Sequence, residues 1–308
     1  MQMSIRSLLL KLGLLDIARQ AFGILKGVAV RFDKDVIHIR KGKREIRISR
    51  AHDFYTAELV RMFDYHFGAV VPQEAGGQQV VDYSAPRVHR LKQSGVELEF
   101  PSVAEGEESI EGYLKALALK PGDVVFDLGA YAGGTSYFLA KAVGPEGLVL
   151  ALEPDQTTFR CLEANMKRHA LGNVKCLASG VWTEKTTLKF QAEGTMGSSA
   201  AGLVGRETHV VEVPVMTLTD LATLANGRPV AGIKMDIEGA ELPILRSASA
   251  AAFFAKQKPN IVVEPHIVDG RFDTDEVCQI LRSFGYELEM LPQGMGQAWP
   301  LIAGKARR

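Results

Sequence analysis

Asp127, Gly129, Gly133 and Glu153 have the types and spacing needed to hold a nucleoside. Asp127-Leu128-Gly129-Ala130-Tyr131-Ala132-Gly133 reads D-x-G-x-x-x-G directly after the apolar run Val124-Val125-Phe126. Glycine permits the positive φ and close backbone approach that a tight strand-to-helix turn demands. Such a turn leaves helix N-terminal N–H groups free. Glu153 follows Asp127 by 26 residues and closes the next apolar run, Leu148 to Leu152. A carboxylate there can accept hydrogen bonds from both ribose hydroxyls, as in dinucleotide sites, where the acid stands roughly 20 residues after the glycine loop. The G-x-G-x-x-G spacing is absent, which argues against a nicotinamide oxidoreductase and suits a nucleoside without a pyrophosphate.

Two later apolar runs also end in ionisable groups. Ile233-Lys234-Met235-Asp236-Ile237-Glu238-Gly239-Ala240-Glu241 ends in carboxylates, and Asn260-Ile261-Val262-Val263-Glu264-Pro265-His266 ends in a carboxylate and an imidazole. Burying so many charges at strand ends is costly unless they have partners. Asp236, Glu264 and His266 could be arranged around a divalent cation, but their pattern lacks a recognised ligand spacing. The expectation is therefore no metal. Lys234 is expected in the flank of the sheet or beside a carboxylate.

Together these stretches resemble the S-adenosylmethionine (SAM)-dependent class I methyltransferases. Lys234 to Glu241 resembles the K-x-D-x-E-G-A-E signature of the FkbM-type methyltransferase family, and the resemblance spans residues 105–302. It implies a doubly wound, seven-stranded, mostly parallel Rossmann-like α/β sheet with an antiparallel last strand. It implies SAM as cofactor, bound by Asp127, Gly129, Tyr131, Gly133, Thr135 and Glu153. Ala178-Ser179-Gly180 stands where that class often contacts adenine, so Ser179 joins the set, although the usual acidic residue is missing. The acceptor is expected to be a hydroxyl of a sugar, glycan or polyketide-like metabolite. Asp236-Ile237-Glu238-Gly239 departs from the [D/N]-P-P-[Y/F] of many N-methyltransferases. Methyl transfer needs the acceptor proton removed, and His266 is the first candidate base because imidazole titrates near neutrality. Asp236 is the second, and Glu238 orients either or binds an acceptor hydroxyl. A competing reading from another class is a catalytically silent nucleotide-fold scaffold in a glycan-assembly complex.

Alternating strands and helices must position these groups. Strands are expected at Val124–Phe126, Leu148–Leu152, Asn173–Leu177, Val230–Ile237 and Pro259–Glu264, with a closing pair at Tyr286–Leu291 and Ala298–Ile302. Thr186–Gln191 and His209–Met216 could pair with each other. Helices are expected over Glu105–Leu119, Thr135–Val143, from the N-cap Asp155 to His169, Thr217–Leu224, Glu241–Ala255 and Asp273–Phe284. Gly194 to Gly205 reads as a flexible loop or a lid over the acceptor pocket. Lys305, Arg307 and Arg308 read as a solvated tail.

The domain boundary is placed near residue 104, leaving an N-terminal α+β appendage (1–104) before a methyltransferase domain (105–308). Ser4 to Lys26 has the three-and-four spacing of a helix, with Ile5, Leu8, Leu12, Leu15, Ala18, Phe22 and Leu25 on one face. Leu9, Leu10, Leu14 and Ile17 widen that face, and Arg6, Lys11, Arg19 and Lys26 are expected at its edge. Val36–Ile39 and Glu45–Ile48 flank a basic hairpin turn, and His52 to Phe67 reads as one helix.

The 308 residues are 46% hydrophobic and 23% charged, the composition of an ordinary globular protein. Zero net charge gives no global field for nucleic acid. The charge is uneven: residues 1–50 hold 12 Lys/Arg against 4 Asp/Glu. That segment offers a peripheral contact to an anionic membrane or a homo-oligomer interface. Three scattered cysteines argue for a reducing compartment, and with no convincing leader or membrane span the expected location is cytoplasmic.

Overall fold

The computed structural model describes residues 14–200, 209–268, 271–272, 274–292 and 300–306. Two compact units divide the chain, Met1–Gly106 and Glu107–Arg308.

The first unit begins with helix α1, Leu15–Leu25; residues 4–13 of the expected helix lie outside the described residues. Strands β1 (Ala29–Phe32), β2 (Val36–Lys41) and β3 (Arg44–Ser49) follow as an antiparallel meander. Alternation sets its register: Ile37, Ile39, Ile46 and Ile48 all point inward and are fully buried. The helix expected over His52–Phe67 is instead a 3-10 segment (Arg50–Tyr55) and two short helices, α2 (Thr56–Arg61) and α3 (Phe63–Gly68). Met62, at φ −113° and ψ 34°, breaks the run. The break leaves Phe63 and Phe67 buried and stacked, with ring centroids 5.7 Å apart. Strands β4 (Gln73–Ala75) and β5 (Gln78–Tyr83) complete a sheet of order β1-β2-β3-β5-β4. Strands β6 (Arg87–Arg90) and β7 (Glu97–Phe100) form a separate pair.

Most of the hairpin cations are paired locally rather than simply solvated. Glu45, fully buried, accepts from Arg47 (2.8 Å) and Arg40 (3.1 Å) and faces His38 Nδ1 at 2.6 Å. Burial alone would raise its pKa, but Arg47, His38 and Arg40 hold it at about 2. Lys41 and Arg44 share Asp64.

The second unit starts with α4 (Glu107–Leu117). Strand β8 (Val124–Leu128), helix α5 (Gly134–Val143) and strand β9 (Leu148–Leu152) form the strand–helix–strand unit that the sequence predicts. Helix α6 (Gln156–Arg168) is capped by Asp155, whose Oδ1 accepts from Thr157 N at 2.8 Å. Strands β10 (Val174–Leu177), β11 (Gly180–Val181), β12 (Thr186–Gln191), β13 (Ser199–Ala200) and β14 (Val210–Met216) follow. Of these, β12 and β14 do pair antiparallel, within an accessory sheet of order β11-β14-β12-β13. Helix α7 (Leu218–Thr223) has a capping box between Thr217 and Asp220. Strand β15 (Val230–Met235) leads to α8 (Glu241–Leu245) and α9 (Ala248–Gln257). These replace the single helix expected over Glu241–Ala255. Ser247 turns extended, and its side chain accepts from Ala250 N, so the second helix starts anew.

Strand β16 (Asn260–Val263), the short pair β17 (Ile267–Val268) and β18 (Arg271–Phe272), helix α10 (Thr274–Ser283) and strands β19 (Tyr286–Leu291) and β20 (Leu301–Ala306) finish the unit. The last strand runs four residues beyond its expected end, and Ala298 lies outside the described residues. Lys305 is not in a tail: it stands opposite Glu287 in the β19–β20 ladder. Arg307 and Arg308 are not among the described residues.

The central sheet has the order β10-β9-β8-β15-β16-β20-β19, parallel from β10 to β16, with β20 antiparallel to both neighbours. Val124 to Leu128 are buried at every position, as a central strand covered by helices on both faces requires. The strand order reverses between β8 and β15, where ligands of doubly wound sheets bind.

Candidate active site

The loop from β8 to α5 is fixed from three sides. Lys234 Nζ donates to the Gly129 carbonyl (2.7 Å), the Tyr131 N–H donates to Glu153 Oε2 (2.8 Å), and Asn165 Nδ2 donates to the Ala132 carbonyl (2.8 Å). Gly129 has φ +79°, and a Cβ there would lie 1.8 Å from the Asp236 carbonyl oxygen. Gly133 has φ +84°, and a Cβ would meet Leu162 at 2.7 Å. Only glycine satisfies both conditions. Tyr131 also takes positive φ (49°), which aims its N–H at Glu153. No side chain caps α5, whose first turn holds buried Thr135 and Ser136.

Glu153 is buried at the end of β9, with Oε1 accepting from Asp155 N at 2.9 Å. Burial pushes its pKa up to about 8, against the pull of the Asp155 and Tyr131 N–H groups. The Thr158 side chain also hydrogen-bonds this carboxylate.

Asp127 stands behind the loop. It is fully buried, accepts from Ser136 Oγ at 2.5 Å, and lies 3.6 Å from Lys234 Nζ. Burial raises its pKa, with Lys234 opposing. Its position is that of an anchor for the loop. Ser179 is also turned inward: its hydroxyl lies 2.9 Å from the Pro214 carbonyl. The side chain is thus engaged by the accessory sheet, and the accessory β11–β14 pairing gives the physical reason.

Across the switch point, the ends of β15 and β16 bring Asp236, Glu238 and His266 together. Each of the two carboxylates comes within 3.6 Å of His266 Nε2. Glu241 accepts from Ile237 N (2.9 Å) and Gly239 N (3.0 Å) and lies 2.9 Å from His266 Nδ1. A carboxylate accepts only, so Nδ1 carries a proton and Nε2 faces the two acids. Burial opposes charge on His266, yet Glu238, Glu241 and Asp236 outweigh it and hold the pKa well above 6.5. Burial pushes Glu238 up to about 8, with His266 opposing. The imidazole therefore does not titrate at its ordinary value. Glu238 also sits at φ 53°, a conformation rare for a residue with a Cβ.

Ligand atoms of Asp236, Glu238 and His266 lie within 4.8 Å of one another, a group able to hold a cation. Lys234, 3.1 Å from Asp236 Oδ2, opposes one electrostatically. Glu264, named with Asp236 and His266 from the sequence, instead accepts from Tyr113 Oη at 2.5 Å.

Sequence reasoning missed Ser136, Asn165, Tyr113 and the buttressing role of Glu241. Only Glu241 carried a signal, as the last acid of K-x-D-x-E-G-A-E. The Gly194–Gly205 segment is partly described: the Gly194 N–H and Ser198 hydroxyl both reach Asp155 Oδ2 at 2.8 Å. Residues 201–205 lie outside the described residues.

This strand order, with a glycine loop and acids at the strand ends, defines a Rossmann-like methyltransferase. Residues 127–288 match the methyltransferase FkbM domain family, and the chain belongs to it. The 31-O-demethyl-FK506 methyltransferase FkbM of Streptomyces tacrolimicus is 28% identical over 222 residues, covering 62% of this chain and 81% of that protein. Methyltransferase 1 of Beauveria bassiana is 25% identical over 182 residues, 53% of this chain and 71% of that protein. A crystal structure of a methyltransferase FkbM from Methylobacillus flagellatus matches with a TM-score of 0.45 and 17% identity over 60% of this chain. This chain spans 44% of the length of that one. No helix among the described residues is long and apolar enough to cross a membrane.

Proposed function

We propose that the chain is a SAM-dependent O-methyltransferase whose acceptor is a hydroxyl of a sugar, glycan or polyketide-like metabolite. The observation that carries this reading is the joining of two half-sites through Lys234: the glycine loop on one side, and the Asp236–Glu238–His266 cluster on the other. The residues fit the cofactor. The loop provides a backbone surface that any Cβ at Gly129 or Gly133 would obstruct, and Glu153 stands ready to accept the ribose hydroxyls. Bound there, SAM supplies a methyl group on a sulfonium.

The remaining chemistry belongs to the chain. The carboxylates of Asp236 and Glu238 accept hydrogen bonds from acceptor hydroxyls and orient them, and positioning supplies most of the acceleration. The hydroxyl proton leaves to Nε2 of neutral His266, and Glu241 stabilises the imidazolium so formed. The raised His266 pKa favours a second route near neutrality, in which Asp236 takes the proton while His266 stays charged. The name of the Streptomyces relative, which specifies a 31-O position, supports an oxygen acceptor.

Calorimetric titration with S-adenosylhomocysteine, with NAD as control, tests the cofactor. Micromolar binding of the first alone, followed by methylation in an acceptor screen of sugars and lipid-linked glycans, is the expected result. Binding without turnover on any hydroxyl would favour the silent scaffold, and binding of NAD alone would overturn the reading.

A further inference from the structure

Helix α1 carries its ion pairs toward the protein and one arc of apolar residues toward solvent, while Leu15, Ala18 and Phe22 are half-buried. Leu14, Ile17, Ala21, Ile24 and Leu25 fall within one arc of about 100° on a helical projection, and all five are exposed. The exposures of Ile17, Ile24 and Leu25 are 59%, 75% and 82%. The other side is fastened. Arg19 is buried against Asp53 at 2.6 Å, and Asp16 pairs with Arg50 at 2.5 Å. Gly23 lies so near β1 that a Cβ would stand 2.6 Å from the Val28 carbonyl oxygen. A surface helix ordinarily has the reverse arrangement. Four of the eight large apolar side chains exposed among the described residues are Leu14, Ile17, Ile24 and Leu25, so this is a patch rather than scatter.

Charge identifies the occupant. Lys26 directly follows the arc, and Lys26, Lys34 and Lys43 have no ion-pair partner among the described residues. The arginines of residues 14–50 are paired. The 13 residues before Leu14 continue the same composition, with Ile5, Leu8, Leu9, Leu10 and Leu12, the cations Arg6 and Lys11, and no acid. A second copy of the chain would bring like surplus charge against like. An anionic bilayer meets the apolar arc and Lys26 at the end of the helix.

We infer that α1 is an interfacial anchor, which lays its Leu14-to-Leu25 arc into the headgroup boundary of an anionic phospholipid bilayer with Lys26 among the phosphates. The anchor holds the enzyme at a lipid surface without spanning it.

The test is sedimentation of the full chain with sucrose-loaded vesicles of phosphatidylcholine, with and without phosphatidylglycerol. Wild type is expected to pellet with the anionic vesicles only, and less so as salt rises. Ile17→Glu/Ile24→Glu lowers the bound fraction by at least about tenfold, with an unchanged melting temperature. Lys26→Glu weakens binding without touching the arc. A wild type that stays in the supernatant with both vesicles would overturn the proposal, as would undiminished binding by the double variant. Light scattering without lipid provides the rival outcome: a dimer that Ile17→Glu/Ile24→Glu dissociates would assign the arc to a second copy.

Discussion

The Nζ of Lys234 lies 2.7 Å from the carbonyl oxygen of Gly129, so the fourth parallel strand holds the glycine loop of the first directly. The same ammonium faces Asp127 and Asp236 and lies over the Tyr113 ring. Lys234→Met removes a buried cation and leaves two acids without their counter-charge. Breaking one partner of a buried pair costs about 3–5 kcal/mol, and denaturant unfolding is expected to show a loss of that order. Recovery of part of it at lower pH, as the acids protonate, would mark the loss as electrostatic.

Glu153→Ala weakens S-adenosylhomocysteine binding by at least about tenfold, because two hydrogen bonds from the ribose hydroxyls are lost. Titration calorimetry reads the change, and unaltered affinity in a folded variant would remove Glu153 from the site. Glu153 also links stability to pH. In the folded chain its pKa is about 8, against an ordinary 4.5. Between those values the folded form holds a proton that the unfolded chain has released. Ligand-free stability from this group is therefore full below pH 4.5 and falls as pH rises toward 8. Glu153→Gln flattens that part of the melting-temperature profile.

His266→Ala is expected to keep cofactor affinity and lose about 10²–10⁴-fold in turnover. The acidic neighbours set the pH dependence. A base whose pKa lies well above 6.5 gives a rate that climbs with pH beyond neutrality. A flat profile that His266→Asn leaves unchanged would assign proton removal to Asp236.

Glu45 makes a separate prediction for the first unit. Its pKa of about 2 is below the ordinary 4.5, so its stabilisation is present above pH 4.5 and is lost as pH falls toward 2. Glu45→Gln is expected to cost about 2 kcal/mol at neutral pH, since hydrogen bonds to a charged acceptor are weakened. The cost should shrink in acid, which a series of thermal melts would show.

The central sheet was legible because each of its parallel strands is a short apolar run between turn residues, and Val124 to Leu152 carried both periodicities in one stretch. Asp155 advertised the start of α6. What stayed hidden depended on tertiary pairing. Met62 and Ser247 interrupt runs whose apolar spacing continues on either side, so the breaks were hidden by periodicity, although Ser247 is a good N-cap residue and Phe63 to Gly68 are weak helix formers. Arg19 read as an edge cation because its partner, Asp53, lies 34 residues on. Lys305 read as a tail residue because only the antiparallel ladder with β19 orders it. In the site, the motif acids were visible from spacing. Their assignments were not, because whether a carboxylate meets Tyr113, Lys234 or His266 is decided by which strand end lies beside which.

The contact between Gly129 and the Asp236 carbonyl has a consequence for local opening. Two segments more than a hundred residues apart share one tightly packed backbone crossing, and Lys234 staples it. Neither can breathe without the other. Amide hydrogens on both sides of the crossing should therefore exchange with solvent through a single cooperative event. The slow step of that exchange would report the integrity of both half-sites at once.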